Sequence, residues 1–266
     1  MEQTTIMAKE LIKINNFELF SEIVKSLSKM SDGVKFTVND CGLTVFAKND
    51  FSKCELASNA IVSDKEISFC VGNLGMLLKI MTTLQGIYKE DATNSVKMYF
   101  DHPFIRFESK KFKTKIAAAE EANIVNFIGN KVHTELSPQI EFTTNSNIIR
   151  SINSHSFVTS DANSARIYVS TNPDMENNVI FATIGNEGND LENSVTLELG
   201  LITSGIMDDR KVILNFDRLN ILNMLPSEEI NVQLAKERPV LISKVQKSGK
   251  NDTFFNISIY VFLMVK

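Results

Sequence analysis

The chain has no tryptophan and only three histidines, three cysteines and five prolines in 266 residues. Each scarcity removes a class of function. His102, His133 and His155 are far apart, and none stands at ligand spacing with a cysteine or a carboxylate, so no metal signature exists. Cys41, Cys54 and Cys70 are odd in number, scattered and set among strand-like residues. They read as buried, reduced thiols and not as a disulfide framework. The sequons at Asn251-Asp-Thr and Asn256-Ile-Ser then count as chance matches. No Gly-x-Gly-x-x-Gly follows a strand, and Ser248-Gly249-Lys250-Asn251 lacks both the first glycine and the hydroxyl of a phosphate-cradling loop. The longest apolar run, Ile257–Val265, is about half a membrane span. Met1–Glu10 mixes Glu2, Lys9 and Glu10 with apolar residues, unlike a secretion signal. A soluble, intracellular protein is expected. An excess of positive charge is also missing: 28 Lys+Arg stand against 32 Asp+Glu, a net charge of -4. Any contact with nucleic acid must therefore be a local patch.

Eighteen phenylalanines and 43% hydrophobic residues are what the chain does have, enough for an aliphatic and phenylalanine core. Four stretches carry helical periodicity. Asn16–Met30 places Phe17, Phe20, Ile23, Val24, Leu27 and Met30 on one side and ends before Gly33. Asn73–Leu84 does so with Leu74, Leu77, Leu78, Met81 and Leu84 and stops at Gly86. A shorter helix after Asn145 turns Ile148, Ile149 and Ile152 inward and Arg150 and Ser151 outward. Asp217–Leu225 buries Leu219, Leu222 and Leu225 before Pro226. Nearly everything else alternates as strands, for example VKFTV, LTVFA, ISFCV and IRFES early, and VTLEL, INVQLA and FNISIYVF late.

The order repeats. Each half reads helix, strands, helix, strands; ISFCV leads into the second helix and VILNF into the fourth. Pro103 and Pro239 each open a strand after a short polar turn in the two halves. A period of roughly 140 residues is a duplicated domain, not a solenoid unit; a chance likeness of two α+β halves is the alternative. Between the halves, Glu120–Ser137 is polar but carries Ile124, Val125, Phe127 and Ile128, an apolar stripe unlike a flexible Gly/Ser linker. Catalytic constellations do not emerge. Ser154-His155-Ser156 is a polar helix end, since adjacent helical residues point apart. Glu120-Glu121, Asp208-Asp209 and Glu228-Glu229 fall in turns, where solvated carboxylates are usual. The chain reads as a binding or scaffolding module, not an enzyme, with no cofactor.

Two tandem helix–strand–helix–strand halves, with VGNLGMLLKIMTTL, KERPVLISKV and the C-terminal FNISIYVFLMVK, resemble the DNA sliding clamps of the proliferating-cell-nuclear-antigen type. The viral and bacteriophage processivity factors are the nearest in character, and the Asn- and Lys-rich composition suits a viral protein. The resemblance implies an α+β fold of two tandem similar domains with helices on one face of antiparallel sheets. The first domain is residues 1–120, the connector 121–136 and the second domain 137–266. It implies a homotrimer encircling double-stranded DNA without base readout, a DNA polymerase and a clamp loader as partners, and a place at DNA in the host cytoplasm or nucleoid.

On that architecture the helices line the hole. Their solvent faces carry Lys25, Lys29, Lys79, Arg150 and Arg218 against Glu18, Glu22 and Asp217, a positive balance in a negative chain. Lys9, Lys13, Lys110, Lys111, Lys113 and Lys115 are candidates to add to it; ordinary solvated charge is the alternative for each. Ring closure would join the edge strands Phe112–Ala119 and Val195–Ile202 of neighbouring protomers. A partner-peptide pocket would be walled by Phe51, Val125, Ile128, Pro239, Tyr260 and Met264. A second reading keeps the fold but makes the protein a viral transcription or assembly cofactor that forms no ring. A third is an enzyme whose site carries no recognisable motif.

Overall fold

Each of the three α-helices among the described residues begins at an asparagine. In the computed structural model, which describes residues 9–48, 52–90, 96–127, 138–155, 166–171, 179–185, 194–205, 212–214, 229–235, 240–248 and 253–262, helix α1 is Phe17–Ser28. Asn16 is extended (φ -145°, ψ 100°) and its Oδ1 accepts the Leu19 N–H at 2.9 Å, which satisfies one of the four orphan amides of a helix start. Asn73 does the same before α2, Leu74–Glu90, accepting from Met76 at 2.8 Å. Asn145 accepts from Asn147 and Ile148, both at 2.9 Å, before α3, Ser146–Ser154. Phe17, Phe20, Ile23, Val24 and Leu27 of α1 are buried, as are Leu74, Leu77, Met81 and Leu84 of α2 and Ile149 and Ile152 of α3. Ile148 is only half-buried.

Gly86 does not stop α2, which continues to Glu90. A Cβ there would meet nothing within 4 Å, so the glycine lies on an open face. It costs the helix about 1 kcal/mol and adopts no left-handed cap. The segment expected as a fourth helix, Asp217–Leu225, lies outside the described residues.

The chain groups into two units: Met1–Lys48, Glu55–Lys131 and Gln246–Asn256 in the first; Asn49–Cys54, Val132–Val245 and Ile257–Lys266 in the second. The first unit has two sets of strands. Strands β2 (Val34–Val38), β3 (Leu43–Lys48), β4 (Ser52–Ser58, of which Glu55–Ser58 belong to this unit) and β6 (Ile67–Val71) are ordered β6-β2-β3-β4. Strands β1 (Glu10–Ile14), β5 (Ile61–Val62), β7 (Lys97–Asp101), β8 (Phe104–Glu108) and β9 (Lys113–Ala117) are ordered β5-β1-β7-β8-β9, all antiparallel. Alternate residues of β2, β3 and β4 are buried, the period-2 signature of a one-sided sheet. Four rings tie helix and strands together. Phe20 meets Phe36 edge-on at 6.3 Å; Phe36 stacks on Phe69 at 5.3 Å, and Phe69 on Phe100 at 5.7 Å.

The second unit repeats the order. Strands β10 (Pro138–Thr144), β11 (Arg166–Thr171), β12 (Val179–Gly185), β13 (Val195–Gly205), β14 (Val212–Leu214), β15 (Ile230–Ala235), β16 (Val240–Ser248) and β17 (Phe254–Phe262) run β14-β11-β12-β13-β10-β15-β16-β17, of which Gln246–Ser248 and Phe254–Asn256 are counted with the first unit. In both units a helix separates the first strand from a meander, and the meander's last strand reaches back to the first. In the first unit that strand breaks at Asn59-Ala60 into β4 and β5, and the Ala60 carbonyl accepts from Asn15 and Asn16. In the second it stays one 11-residue strand with two different neighbours. Among the described residues Val195–Glu198 pair with β12 alone, Leu201 pairs with both Val179 of β12 and Thr143 of β10, and Ile202 pairs with Phe142 of β10. The expected free edge over Val195–Ile202 is therefore shorter, because the strand bends across a register shift and gains a second partner.

Gly200 lies at that crossing. A Cβ on it would run into the Thr143 carbonyl oxygen. Gly200→Ala is expected to lower stability by about 1–3 kcal/mol, the cost of forcing two strands apart, read as a reduced denaturation midpoint at unchanged slope.

Among the cysteines, Cys54 and Cys70 are buried but Cys41 is exposed. It sits in the β2–β3 turn, where Asn39 Oδ1 accepts the amides of Cys41 and Gly42, and Gly42 takes a φ of 144° that favours glycine. The expectation of three buried thiols fails there because a tight turn, not a strand, holds the residue.

Candidate nucleic-acid interface

In the first unit α1 packs on α2, so their outward faces adjoin. Lys25 and Lys29 are exposed at the C-terminal end of α1, and Lys79 is exposed in the middle of α2. In the second unit Arg150 is exposed in the middle of α3. Arg218 lies outside the described residues. The helix dipole accounts for the ends of α1, with Glu18 in its first turn and Lys25 and Lys29 at its last, while Glu22 is mid-helix. It does not account for Lys79 or Arg150, which are mid-helix. No described carboxylate comes within 4.0 Å of Lys25, Lys79 or Arg150.

On α2 and α3 the rest of the described outward face is neutral. Gly75, Met76, Thr82 and Thr83 are exposed along α2, and both threonine hydroxyls donate to their own helix, to Leu78 O at 2.9 Å and Lys79 O at 3.1 Å. Asn147, Ser151 and Ser154 flank Arg150 on α3. A few mobile point charges on a neutral helical surface can attract phosphates without reading bases. His155 Nδ1 lies 2.7 Å from the Ser151 carbonyl oxygen, closing the last turn of α3 as a polar helix end does.

The other lysines are elsewhere. Lys9 and Lys13 flank and occupy β1, and each is paired, Lys9 with Glu108 at 3.2 Å and Lys13 with Asp64 at 2.8 Å. Lys113 and Lys115 are on β9, and Lys110 and Lys111 on the turn before it. They belong to a sheet and do not extend the helical faces, contrary to expectation. K-T-K on a strand puts both lysines on one side, and that side turns away from the core holding Thr114's neighbours Phe107 and Ile116.

The connector begins as a 3-10 helix, Glu121–Phe127. Ile124 is buried (2% exposed) against the first unit, and Glu121 pairs with Lys35 at 2.9 Å. Burial pushes the nearby Cys70 thiol up, and the Glu121 carboxylate adds to the shift, so the thiol stays protonated and inert. Of the pocket residues, Val125 lies in the 3-10 helix and Tyr260 in β17, with side chains outside the described set. Phe51, Ile128, Pro239 and Met264 are outside it altogether. No group of three or more His, Cys, Asp or Glu able to hold a metal occurs among the described residues. No helix among them is long and apolar enough to cross a membrane.

No protein-family model matches the sequence, and no curated protein matches it significantly. Solved structures do. The proliferating cellular nuclear antigen of Entamoeba histolytica is similar over 97% of this chain and 100% of its own, at a TM-score of 0.69 and 16% identity. The corresponding antigen of A. fulgidus, bound to the C-terminal region of FEN-1, covers 97% of this chain and 99% of its own, at 0.69 and 10%. A putative DNA polymerase III beta subunit of Eubacterium rectale covers 100% of this chain and 68% of its own, at 0.68 and 12%. The chain has the α+β fold of the DNA sliding clamps.

Proposed function

We propose that the protein is a sliding clamp: it encircles duplex DNA, tethers a replicative polymerase and performs no catalysis. The observation that carries this reading is the clamp fold over nearly the whole chain. Two local features support it. Cations without a described carboxylate stand on the exposed faces of α1, α2 and α3, including two that no helix dipole explains. Two strand edges are open as well: β9 pairs only with β8, and Val195–Glu198 only with β12, among the described residues.

On this reading the domains are residues 1–120 and 137–266 joined by 121–136. A head-to-tail homotrimer closes when β9 of one protomer adds to the open half of β13 in the next. Lys113 and Lys115 on the first edge are exposed, as is Glu198 on the second, so the two edges carry opposite charge. The helices line the hole, with Lys25, Lys29, Lys79, Arg150 and Arg218 toward the duplex. Weak, unspecific attraction is what sliding needs, since tight contacts would stall it. A clamp loader opens the ring. Partner peptides dock at Phe51, Val125, Ile128, Pro239, Tyr260 and Met264; that a similar structure binds the C-terminal region of FEN-1 supports a peptide partner, by analogy.

The test is DNA synthesis on a long primed circle with polymerase and loader, with and without the protein. Product length is expected to rise several-fold when it is present, and unchanged length sinks the proposal. Sedimentation at micromolar concentration is expected to give a trimer; a stable monomer favours the cofactor that forms no ring.

A further inference from the structure

The outward face of the five-stranded sheet in the first unit carries more positive charge than its fold requires. Register places Leu11, Tyr99, Arg106 and Lys115 in one row and Lys97, Glu108 and Lys113 in the next. The two carboxylates on this face are already engaged, Glu108 by Lys9 at 3.2 Å and Asp101 by Arg106 at 2.7 Å. Five lysines remain on the face or at its end: Lys97, Lys113 and Lys115 on the strands, and Lys110 and Lys111 in the adjoining turn closed by Ser109 and Phe112. All five are exposed, and none lies within 4.0 Å of a described carboxylate. One or two lysines suffice to keep an edge strand from aggregating. Five that repel one another, in a chain whose net charge is -4, exceed that need.

We propose that this sheet face is a second duplex-DNA contact, separate from the helical faces and holding the sugar-phosphate backbone through Lys97, Lys110, Lys111, Lys113 and Lys115. The chemistry selects the occupant. A single strand is normally held by bases stacked on aromatic rings. The two rings here are already capped by ammonium groups, Tyr99 by Lys9 at 3.6 Å and Phe104 by Lys115 at 4.4 Å. Arg106, the one guanidinium on the face, is held by Asp101 and is not free to fork onto a base. Unpaired point charges then remain on a pleated surface, suited to the densest regular array of phosphates, which is the duplex backbone. A clamp with such a face touches DNA on its sheet side, beyond whatever it encircles; the inference stands whether or not the ring closes.

The experiment is fluorescence anisotropy of the full chain with a labelled linear duplex of about 20 base pairs and no loader, across a salt series. Lys113 and Lys115 are left intact because they sit on the strand assigned to ring closure. The triple variant Lys97→Glu, Lys110→Glu, Lys111→Glu is expected to bind at least about tenfold more weakly at 50 mM salt. Its slope of log affinity against log salt becomes shallower by about two to three. The Gln versions fall between, and an unchanged melting temperature shows that each variant is folded. A separate Lys25→Glu, Lys79→Glu variant reports on the helices, so loss there does not count for this face. Unchanged affinity and slope in the triple variant overturn the proposal. So does tighter binding of a single strand of equal length, or competition by poly-glutamate as effective as by duplex, which reassigns the face to an acidic protein.

Discussion

Phe36→Ala is expected to lower stability by about 3–5 kcal/mol, the range for emptying a fully packed aromatic site. Phe36 is 0% exposed and central in the chain of rings from Phe20 to Phe100. Its removal leaves a void and breaks two ring contacts at once, the edge-on one to Phe20 and the stacked one to Phe69. Those partners stand on a helix and on β6, so the surroundings cannot collapse without moving whole elements. Against a usual total stability of about 5–15 kcal/mol, the loss is a large fraction. Urea denaturation followed by circular dichroism reads it. Phe104→Ala, on the outward sheet face, serves as control and is expected to cost under about 1 kcal/mol. Equal losses in the two variants would mean that the ring chain is not a shared core.

Much of this core was legible from periodicity. The spacing of Phe17, Phe20, Ile23, Val24 and Leu27 has only one burial solution, and an asparagine before each of three helices marks where the pattern starts. Period two marks the strands equally well, since VKFTV and LTVFA bury alternate residues as written. What failed depends on neighbours that are distant in sequence. Whether Gly86 ends a helix depends on what surrounds it, and nothing does. Whether Leu201 is an edge residue depends on β10, some sixty positions earlier, which the local pattern cannot reveal. The lysines of SKKFKTK alternate visibly, but alternation gives two faces without saying which is outward or which sheet receives them. The strand itself was legible, since K-T-K alternates with Phe112, Thr114 and Ile116 on the opposite side; that its lysines stand apart from the helical cations was not.

Reversing the helical cations is expected to abolish processive synthesis while leaving assembly intact. The variant is Lys25→Glu, Lys79→Glu, Arg150→Glu, three exposed residues with no described carboxylate to lose. Each change costs the fold little, because a solvated helical charge contributes within about 0.5 kcal/mol. On the proposed ring the cost to DNA passage is much larger, since a trimer would multiply every substitution threefold and turn attraction into repulsion along its lining. Each phosphate contact contributes about 0.9 to the salt exponent of binding, so the defect is steepest at low ionic strength and is partly relieved as salt screens the repulsion within a Debye length of about 10 Å at 0.1 M. On a primed circle, product length at low salt should fall to that seen without the protein and recover in part as salt rises. The Gln versions should lie between, and sedimentation should still show the trimer. Loss of the trimer would assign these residues to assembly, and full-length product from the charge-reversed ring would remove the helices from the DNA path.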